Sequence, residues 1–101
     1  MSLDGLIEAV RAKAALNLPL GYKAQFDLGD DGVIFWDGTV SPPIIDDTAH
    51  DDVDTTLTLS AASLRKMLNG GLNPTLAYMT GALKVAGSMG VALKINQMLE
   101  D

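Results

Sequence analysis

The spacing of apolar residues changes along the chain, and each change predicts a new kind of element. Over residues 3–14 apolar side chains recur at helical intervals with charged residues between them, which predicts an amphipathic helix. Ser2 is placed to cap this helix, and Pro19 prevents it from continuing. The period then becomes two, which is typical of strands, and from Ser60 it is helical again except for a short strand over 83–86.

The region of period two predicts strands joined by tight turns. Residues 22–28 and 33–36 are expected to form an antiparallel hairpin, since turn-forming glycines and aspartates separate them. A third strand is expected over 39–45, and its two adjacent prolines, which lack N–H groups, make it either an edge strand or a bulged strand. A fourth strand over 55–59 follows a loop rich in aspartate. The order of elements predicts an α+β fold in which helices pack on one face of a largely antiparallel sheet.

Polar residues mark the starts of the helices predicted in the C-terminal half. Ser60 and Ser88 are suited to N-cap positions, because a hydroxyl can accept a hydrogen bond from a free N–H group of the first turn. Asn73, which precedes a proline, is a favoured helix opening, and Gly81 is suited to ending that helix. We therefore expect three helices after the fourth strand, with one strand between the second and the third.

Composition excludes several classes of function. The 101 residues suit a single domain, 1–101, and an apolar content of 48% is enough for a core. Without cysteine the chain has neither a disulfide scaffold nor a thiolate nucleophile. A net charge of −6 disfavours nucleic acid as a partner and a general attraction to anionic lipid. No apolar run is long enough to span a membrane, and the lack of a secretory leader predicts a cytoplasmic protein.

The residues that could carry chemistry do not form a catalytic or metal-binding pattern. His50, the sole histidine, has no nucleophile or orienting group arranged with it in the sequence and is expected to be solvated. Five aspartates lie around it in the sequence: Asp46, Asp47, Asp51, Asp52 and Asp54. Their spacing does not match the ligand positions of a calcium-binding loop. The segment 87–90 matches neither a nucleophile elbow nor a phosphate loop. We therefore predict no catalytic residue, no metal and no cofactor.

The last predicted helix is more apolar than a helix with one solvent-exposed face requires. Seven of the eleven residues from Met89 to Leu99 are apolar, and the four methionines after Met1 all lie in this half of the chain. Methionine adapts to irregular apolar shapes, including surfaces that accept varied partners. Three explanations remain open at this point: burial against a neighbouring helix, contact with a lipid, or contact with a protein partner.

Several motifs in the C-terminal half resemble, in order and spacing, the signature of the sterol carrier protein type 2 family. Asn73-Pro74 is similar to the family's opening of a short helix, and the segment 81–85, Gly-Ala-Leu-Lys-Val, is similar to its Gly-x-Leu-Lys-apolar strand. Gly87-Ser88-Met89 then leads into a helix, whose segment 92–95 is a small–apolar–Lys–apolar run. Upstream, the segment 54–60 resembles the family's preceding strand and helix start.

This resemblance extends over residues 20–101 and is strongest after Asp54. It implies a five-stranded sheet with helices on one side and an apolar tunnel between them, which binds fatty acids, acyl chains, sterols or phospholipids without catalysis. Ser88 stands where the family commonly has Asp or Asn and caps a helix as well, and the two prolines and the acidic loop change one sheet edge. Because the sequence ends at Asp101 without the C-terminal extension of longer members, we expect a more open tunnel and favour an acyl chain over a sterol. Strand alternation and apolar helix arcs supply the expected tunnel wall: Phe26, Phe35, Leu57, Leu59, Met67, Leu72, Leu76, Met79, Leu83, Met89, Leu93 and Met98. Because the second strand is apolar on both faces, Trp36 is the alternative to Phe35 for the inward position.

The resulting hypothesis is a non-enzymatic carrier that binds a lipid and moves it between membranes. We expect a monomer or weak homodimer with transient membrane contact, and Arg11, Lys13 and Lys23 are the cations nearest the first helix and strand for a ligand carboxylate. The alternatives are a protein-interaction module that uses the same apolar helix face and an accessory domain of a lipid-metabolising enzyme. A lipid that co-purifies with the protein would favour the carrier.

Overall fold

The computed structural model describes residues 3–16 and 19–100, in which the chain forms four α-helices and five strands. The predicted cap Ser2 lies outside the described residues. The helices are α1 (Leu3–Ala15), α2 (Ala61–Leu68), α3 (Pro74–Thr80) and α4 (Met89–Glu100). The strands are β1 (Lys23–Asp27), β2 (Val33–Asp37), β3 (Ile44–Asp46), β4 (Thr55–Thr58) and β5 (Lys84–Gly87). A single 3-10 turn, Gly29–Asp31, joins β1 to β2.

The five strands form one mixed sheet in the order β3-β2-β1-β4-β5. Three neighbouring pairs are antiparallel, whereas β1 and β4 at the centre are parallel. A parallel pair cannot be joined by a tight turn, so β2, β3 and the acidic loop lie between its two strands in the chain. All four helices contribute side chains to one apolar core on the same face of the sheet. The predicted α+β architecture with helices on one face is confirmed.

Local capping explains where the helices of the C-terminal half begin. The hydroxyl of Ser60 accepts a hydrogen bond from the N–H of Ser63 at 3.0 Å, and that of Ser88 accepts one from Val91 at 3.3 Å. The side-chain oxygen of Asn73 accepts from two N–H groups of the first turn of α3. These contacts confirm the three predicted helix starts.

The third strand is shorter than the sequence predicted. The prediction covered 39–45, but β3 begins only at Ile44 and pairs with β2 through Asp46. Pro42 and Pro43 have no N–H to donate to the ladder, so the segment before them is a turn rather than a strand. The edge strand, one of the two predicted alternatives, is confirmed, since β3 is the outermost strand beside β2.

The face of the sheet that carries the helices is formed by alternate positions of the strands. Phe26 of β1 lies opposite Ile34 of β2 and Leu57 of β4, and all three side chains are buried. In the next row Trp36 lies opposite Ala24, and both are also buried. These rows form the side of the core that belongs to the sheet, and the helices form the opposite side.

The opposite face of the sheet is more polar. Gln25 of β1 lies opposite Phe35 and Thr56, and its side-chain amide donates a hydrogen bond to the Thr56 hydroxyl at 3.4 Å. No helix contributes to this face in the described residues, and only Phe35 is a large apolar residue in its central row. The two faces therefore differ in both covering and chemistry.

Candidate functional site

An apolar pocket opens at one end of the space between the sheet and the helices. Its volume is about 280 Å³, close to the lower end of the range for small-molecule sites. The last turn of α1, the end of α4, strand β2 and the β2–β3 connection all contribute to its wall. The residues that line it are Ala14, Ala15, Pro19, Leu20, Trp36, Ser41, Pro42, Pro43 and Met98. Both layers of the fold therefore contribute to the pocket.

A close approach between two connections fixes one side of this pocket. Gly21 donates its N–H to the carbonyl of Gly38 at 2.9 Å, and Gly38 donates to Tyr22 at the same distance. A Cβ atom on Gly38 would lie 2.6 Å from the Cβ of Leu20, so a larger residue cannot occupy this position without displacing the chain. The glycine therefore allows Leu20 to pack into the pocket wall beside β2.

The chemistry of the pocket suits a hydrocarbon. No charged residue is present among the described residues that line it, and Ser41 supplies its one hydroxyl. The indole nitrogen of Trp36 is buried and has no hydrogen-bond partner in the described part of the chain. A ligand in this pocket would therefore be held mainly by apolar contact.

The sequence-predicted wall residues are distributed over three places. Six are buried in the core between the sheet and the helices: Phe26, Leu57, Leu59, Met67, Leu83 and Met98. Leu72 packs against that core and is partly buried. Of the twelve, Met98 alone lines the pocket described above, while Met67 and Leu72 line a second cavity of about 270 Å³ at the α2–α3 connection.

Phe35 lies on the wrong face for a wall residue of a tunnel beneath the helices. It belongs to the row of Gln25, and its ring stacks on His50 with a centroid distance of 3.7 Å. The neighbouring Trp36 faces the helices instead. Strand β2 is buried on both faces, so its alternation does not reveal which side chains point inward, and the prediction for Phe35 is corrected accordingly.

Four other wall candidates lie at the surface of the helix layer rather than inside it. Between 43% and 76% of the surface of each residue is exposed to solvent, and the four residues are Leu76, Met79, Met89 and Leu93. Met89 and Leu93 share a face of α4, as their spacing predicts, but this face points away from the core. The buried side of α4 is formed by Val91, Ala92, Ile95, Met98 and Leu99. The apolar arc of α4 is wider than the side of the helix that packs on the core, so some of its apolar residues are exposed.

His50 is not a solvated side chain, contrary to the sequence prediction. It is partly buried against Phe35, and its Nε2 atom is buried without a hydrogen-bond partner in the described residues. Its backbone N–H donates to the side-chain oxygen of Gln25 at 3.3 Å. These contacts hold the acidic loop across the polar face of the sheet, away from the pocket.

Arg11 and Lys23, which were considered as partners for a ligand carboxylate, are already engaged in contacts within the protein. Arg11 pairs with Glu8 and donates to the carbonyl of Ile45 at 2.7 Å. Lys23 forms an ion pair of 2.9 Å with Asp52, whose hydrogen bond raises the pKa of the lysine above its ordinary value. The same hydrogen bond lowers the pKa of Asp52. Neither cation lines the pocket.

The pocket residues that the sequence did not indicate have weak individual signals. Ala14 and the two prolines carry no side chain that stands out in a search for binding chemistry, because their contribution is shape alone. Trp36 was the sequence alternative to Phe35 for the inward side of β2, and it occupies the same face as Ile34 two positions earlier. In the described residues no group of acidic residues and histidine is arranged to hold a metal ion. None of the described helices is long and apolar enough to cross a membrane.

Comparison with known proteins assigns the chain to a family. A model of the SCP-2 sterol transfer family matches residues 4–100. Hydroxysteroid dehydrogenase-like protein 2 of Bos taurus is 37% identical over 49 residues, which are 48% of this chain and 12% of that protein. The chain thus matches only a small part of that longer relative.

Two solved structures of a mosquito protein share the fold. The crystal structure of sterol carrier protein 2 like 2 from Aedes aegypti has a TM-score of 0.74 and 18% identity, and the match covers 96% of this chain and 95% of that chain. The solution structure of palmitated SCP2L2 from the same organism has a TM-score of 0.68 and 18% identity, with coverage of 100% and 96%. With the family model matching almost the whole sequence, the chain belongs to the SCP-2 sterol transfer family, whose domains bind lipids.

Proposed function

We propose that this protein binds a fatty acid or fatty acyl chain between the sheet and the helices and transfers it between membranes, without catalysing a reaction. The observation that carries the proposal is the apolar pocket, which is lined by both layers and has no charged wall residue among those described. Transfer requires transient contact with membranes. We expect the carrier to act as a monomer or weak homodimer.

The energetics of an acyl chain are sufficient for binding without a specific polar contact. Each methylene removed from water contributes about 0.8 kcal/mol, so ten of them contribute about 8 kcal/mol before the cost of association. Micromolar affinity corresponds to about 8 kcal/mol after that cost, so it requires burial of more than ten methylenes, as a longer acyl chain provides. Discrimination between chain lengths should be weak, because one methylene changes the free energy of binding by only about 0.8 kcal/mol, which is about fourfold in affinity.

The proposed site has an entrance and an interior. We place the entrance beside Ala15 and Pro42, which are exposed lining residues, whereas Trp36 and Met98 are buried within the pocket. We place the interior of the site in the adjoining core. Its wall consists of the remaining buried candidates: Phe26, Leu57, Leu59, Met67 and Leu83. A ligand longer than the pocket separates these side chains as it enters, and methionine and leucine side chains adapt to such a change.

A relative supports the choice of ligand class. The mosquito protein of the same fold was solved in a palmitated form, so this architecture accommodates a fatty acyl group in that protein. The present pocket is lined by apolar residues of α1, α4 and β2, as an acyl chain requires. We therefore use palmitate as the test ligand.

The decisive experiment fills the entrance without disturbing the core. Ala15 is exposed and lines the pocket, so Ala15→Phe should occupy the entrance and weaken binding about tenfold or more, equivalent to about 1.4 kcal/mol. Ala12 is exposed on the same helix but does not line the pocket, so Ala12→Phe is the matched control. Affinity is measured by displacement of a fluorescent fatty acid with palmitate.

Equal affinity of the two variants would show that the pocket is not the entrance. Extraction of the purified protein followed by mass spectrometry gives an independent test, since a carrier retains lipid from its host. Circular dichroism of both variants confirms that the fold is unchanged.

A second candidate function is that of an accessory lipid-binding domain in a lipid-metabolising enzyme. It is favoured by the bovine relative, in which the matched stretch is 12% of a longer protein with a dehydrogenase-like name. Detection of the natural polypeptide with an antibody against this domain distinguishes the two. A mass far above 10.6 kDa would support the accessory role.

A further inference from the structure

Three side chains in the described part of the chain have a buried nitrogen or oxygen atom without a hydrogen-bond partner among the described residues. The atoms are Nε1 of Trp36, Nε2 of His50 and Oδ1 of Asn96. Native proteins leave few buried polar atoms unpaired, because each one has given up its hydrogen bond to water without a replacement. Such an atom in the wall of a binding pocket indicates a partner that the ligand supplies.

Of these three residues, Trp36 is the one that lines the apolar pocket between the sheet and the helices. His50 stacks on Phe35 on the opposite face of the sheet, and Asn96 is not among the residues that line the pocket. The Trp36 residue is only 1% exposed, so its indole group belongs to the inner part of the wall. The pocket wall therefore includes a hydrogen-bond donor that the described part of the protein does not use.

The side chains next to Trp36 across the strands cannot accept a hydrogen bond. Ala24 of β1 and Ile45 of β3 lie opposite it on its two sides, and both are buried and apolar. Ser41, which supplies the one hydroxyl among the described lining residues, is exposed, so water can satisfy it. Among those lining residues, the indole N–H is thus the one buried side-chain donor.

The chemistry of an indole N–H defines the ligand atom that can pair with it. The group donates and cannot accept, so its partner must carry a lone pair, as carbonyl and hydroxyl oxygens do. No charged residue is present among the described residues that line the pocket, so an ionised carboxylate beside Trp36 would be buried without a cation. A neutral oxygen atom therefore fits this position better than a carboxylate does.

We propose that the indole N–H of Trp36 donates a hydrogen bond to a neutral carbonyl or hydroxyl oxygen of the bound ligand and so selects oxygen-bearing chains over plain hydrocarbons. This inference rests on the proposed function, since it places the ligand in the same pocket. The nitrogen atom is enclosed by its surroundings, so the oxygen reaches it as the ligand separates the side chains of the wall. Apolar contact supplies most of the affinity, and the hydrogen bond supplies the preference.

The first test uses the unmodified protein, in which Trp36 is the sole tryptophan. In nuclear magnetic resonance, protein labelled with heavy nitrogen gives a single indole N–H signal, which reports on this group alone. Methyl decyl ketone, whose carbonyl oxygen can only accept, should move the indole proton signal downfield on binding, as hydrogen bonding does. Dodecane, which has the same number of carbon atoms and no oxygen, should not cause this downfield shift. A signal that responds alike to both ligands would overturn the proposal.

A substitution measures how much the N–H contributes to the preference. Trp36→Phe keeps an aromatic ring but removes the donor, so the ratio of the affinity for methyl decyl ketone to that for dodecane should fall about fivefold, which corresponds to about 1 kcal/mol. The ratio cancels the effect of the smaller ring, which acts on both ligands. Met98→Leu is the matched control, because it changes a buried apolar residue of the same wall and should keep the wild-type ratio. Both affinities are measured by displacement of a fluorescent fatty acid.

Failure of this inference is distinguishable from failure of the proposed function. If both ligands displace the probe but the ratio is the same in Trp36→Phe and the wild type, the pocket binds chains and the role of Trp36 is wrong. If neither ligand displaces the probe, the pocket and this inference are both wrong. Circular dichroism checks the fold of the two variants, and if Trp36→Phe does not fold, the indole signal of the wild type decides.

Discussion

The two faces of the sheet differ in what stabilises them. On the face beneath the helices, side chains such as Phe26 and Leu57 are almost completely removed from water and touch both layers. On the opposite face, Gln25 and Thr56 form a hydrogen bond, and the acidic loop supplies the one aromatic contact, between His50 and Phe35. The first face is held by apolar burial, and the second by local polar and stacking contacts, which are individually weaker.

This contrast shows that burial of a residue and its position relative to the helices are separate properties. Phe35 and Trp36 are neighbours on β2 and are both buried, yet one is covered by a loop and the other by helices. The faces therefore differ in the element that covers each side chain, which is the acidic loop on one face and the helices on the other. Substitutions at adjacent positions of one strand test it directly.

The largest effect is expected on the helix-covered face of β4. Leu57→Ala should lower the free energy of unfolding by about 2–5 kcal/mol, because it leaves a cavity in the core. Thr56→Ala, one position earlier on the other face, should lower it by about 1 kcal/mol at most, since it removes one long hydrogen bond. Urea denaturation measures both, and similar losses would contradict the distinction between the faces.

A smaller effect is expected where the loop covers the polar face. His50→Ala should lower the free energy of unfolding by about 0.5–1.5 kcal/mol, because it removes the stacking contact with Phe35. His50→Phe retains an apolar ring at the same place and should recover most of this loss. A decrease for His50→Ala as large as that for Leu57→Ala would mean that the loop is part of the main core.

The smallest effect is expected from the ion pair at the edge of the loop, and it depends on pH. The hydrogen bond with Lys23 lowers the pKa of Asp52 below its ordinary value of 3.8, so this carboxylate stabilises the fold above about pH 4 and ceases to do so as pH falls further. The same bond raises the pKa of Lys23 above 10.5, so the lysine's contribution disappears at still higher pH.

Asp52→Asn should therefore lower the melting temperature slightly between those limits and leave it unchanged at both extremes. The Asp52 side chain is 66% exposed and that of Lys23 is 34% exposed, so screening by solvent keeps the effect small. Asp51→Asn is the matched control, because this neighbouring carboxylate has no lysine partner in the described residues. A pH-independent difference between the variants would show that the ion pair does not stabilise the loop.

Elements that depend on local interactions were predictable from the sequence. Ser60, Asn73 and Ser88 cap helices through contacts within three residues, and the alternation in β1 assigns Phe26 to the buried face. Pro42 and Pro43 restricted the third strand to an edge or a bulge, and they also account for its late start at Ile44. Each of these features is determined by residues that are close together in the chain.

Features that depend on distant segments were not predictable in the same way. The parallel pairing of β1 with β4 has no local signal, and neither does the pocket, whose walls come from four separate parts of the chain. Periodicity identified the wide apolar arc of α4 but could not decide which part of it faces the core, so Leu93 was assigned inward. The orientation of an apolar helix depends on where its neighbours pack.

The parallel central pair also determines the order in which this protein can fold. Strands β1, β2 and β3 follow one another through short connections, so this meander can form from nearby residues. Gln25 and Thr56 are 31 positions apart, and bringing them together requires closure of the whole intervening segment. We therefore expect β4 to join the meander in a late, rate-limiting step, after which β5 and α4 complete the core around the pocket.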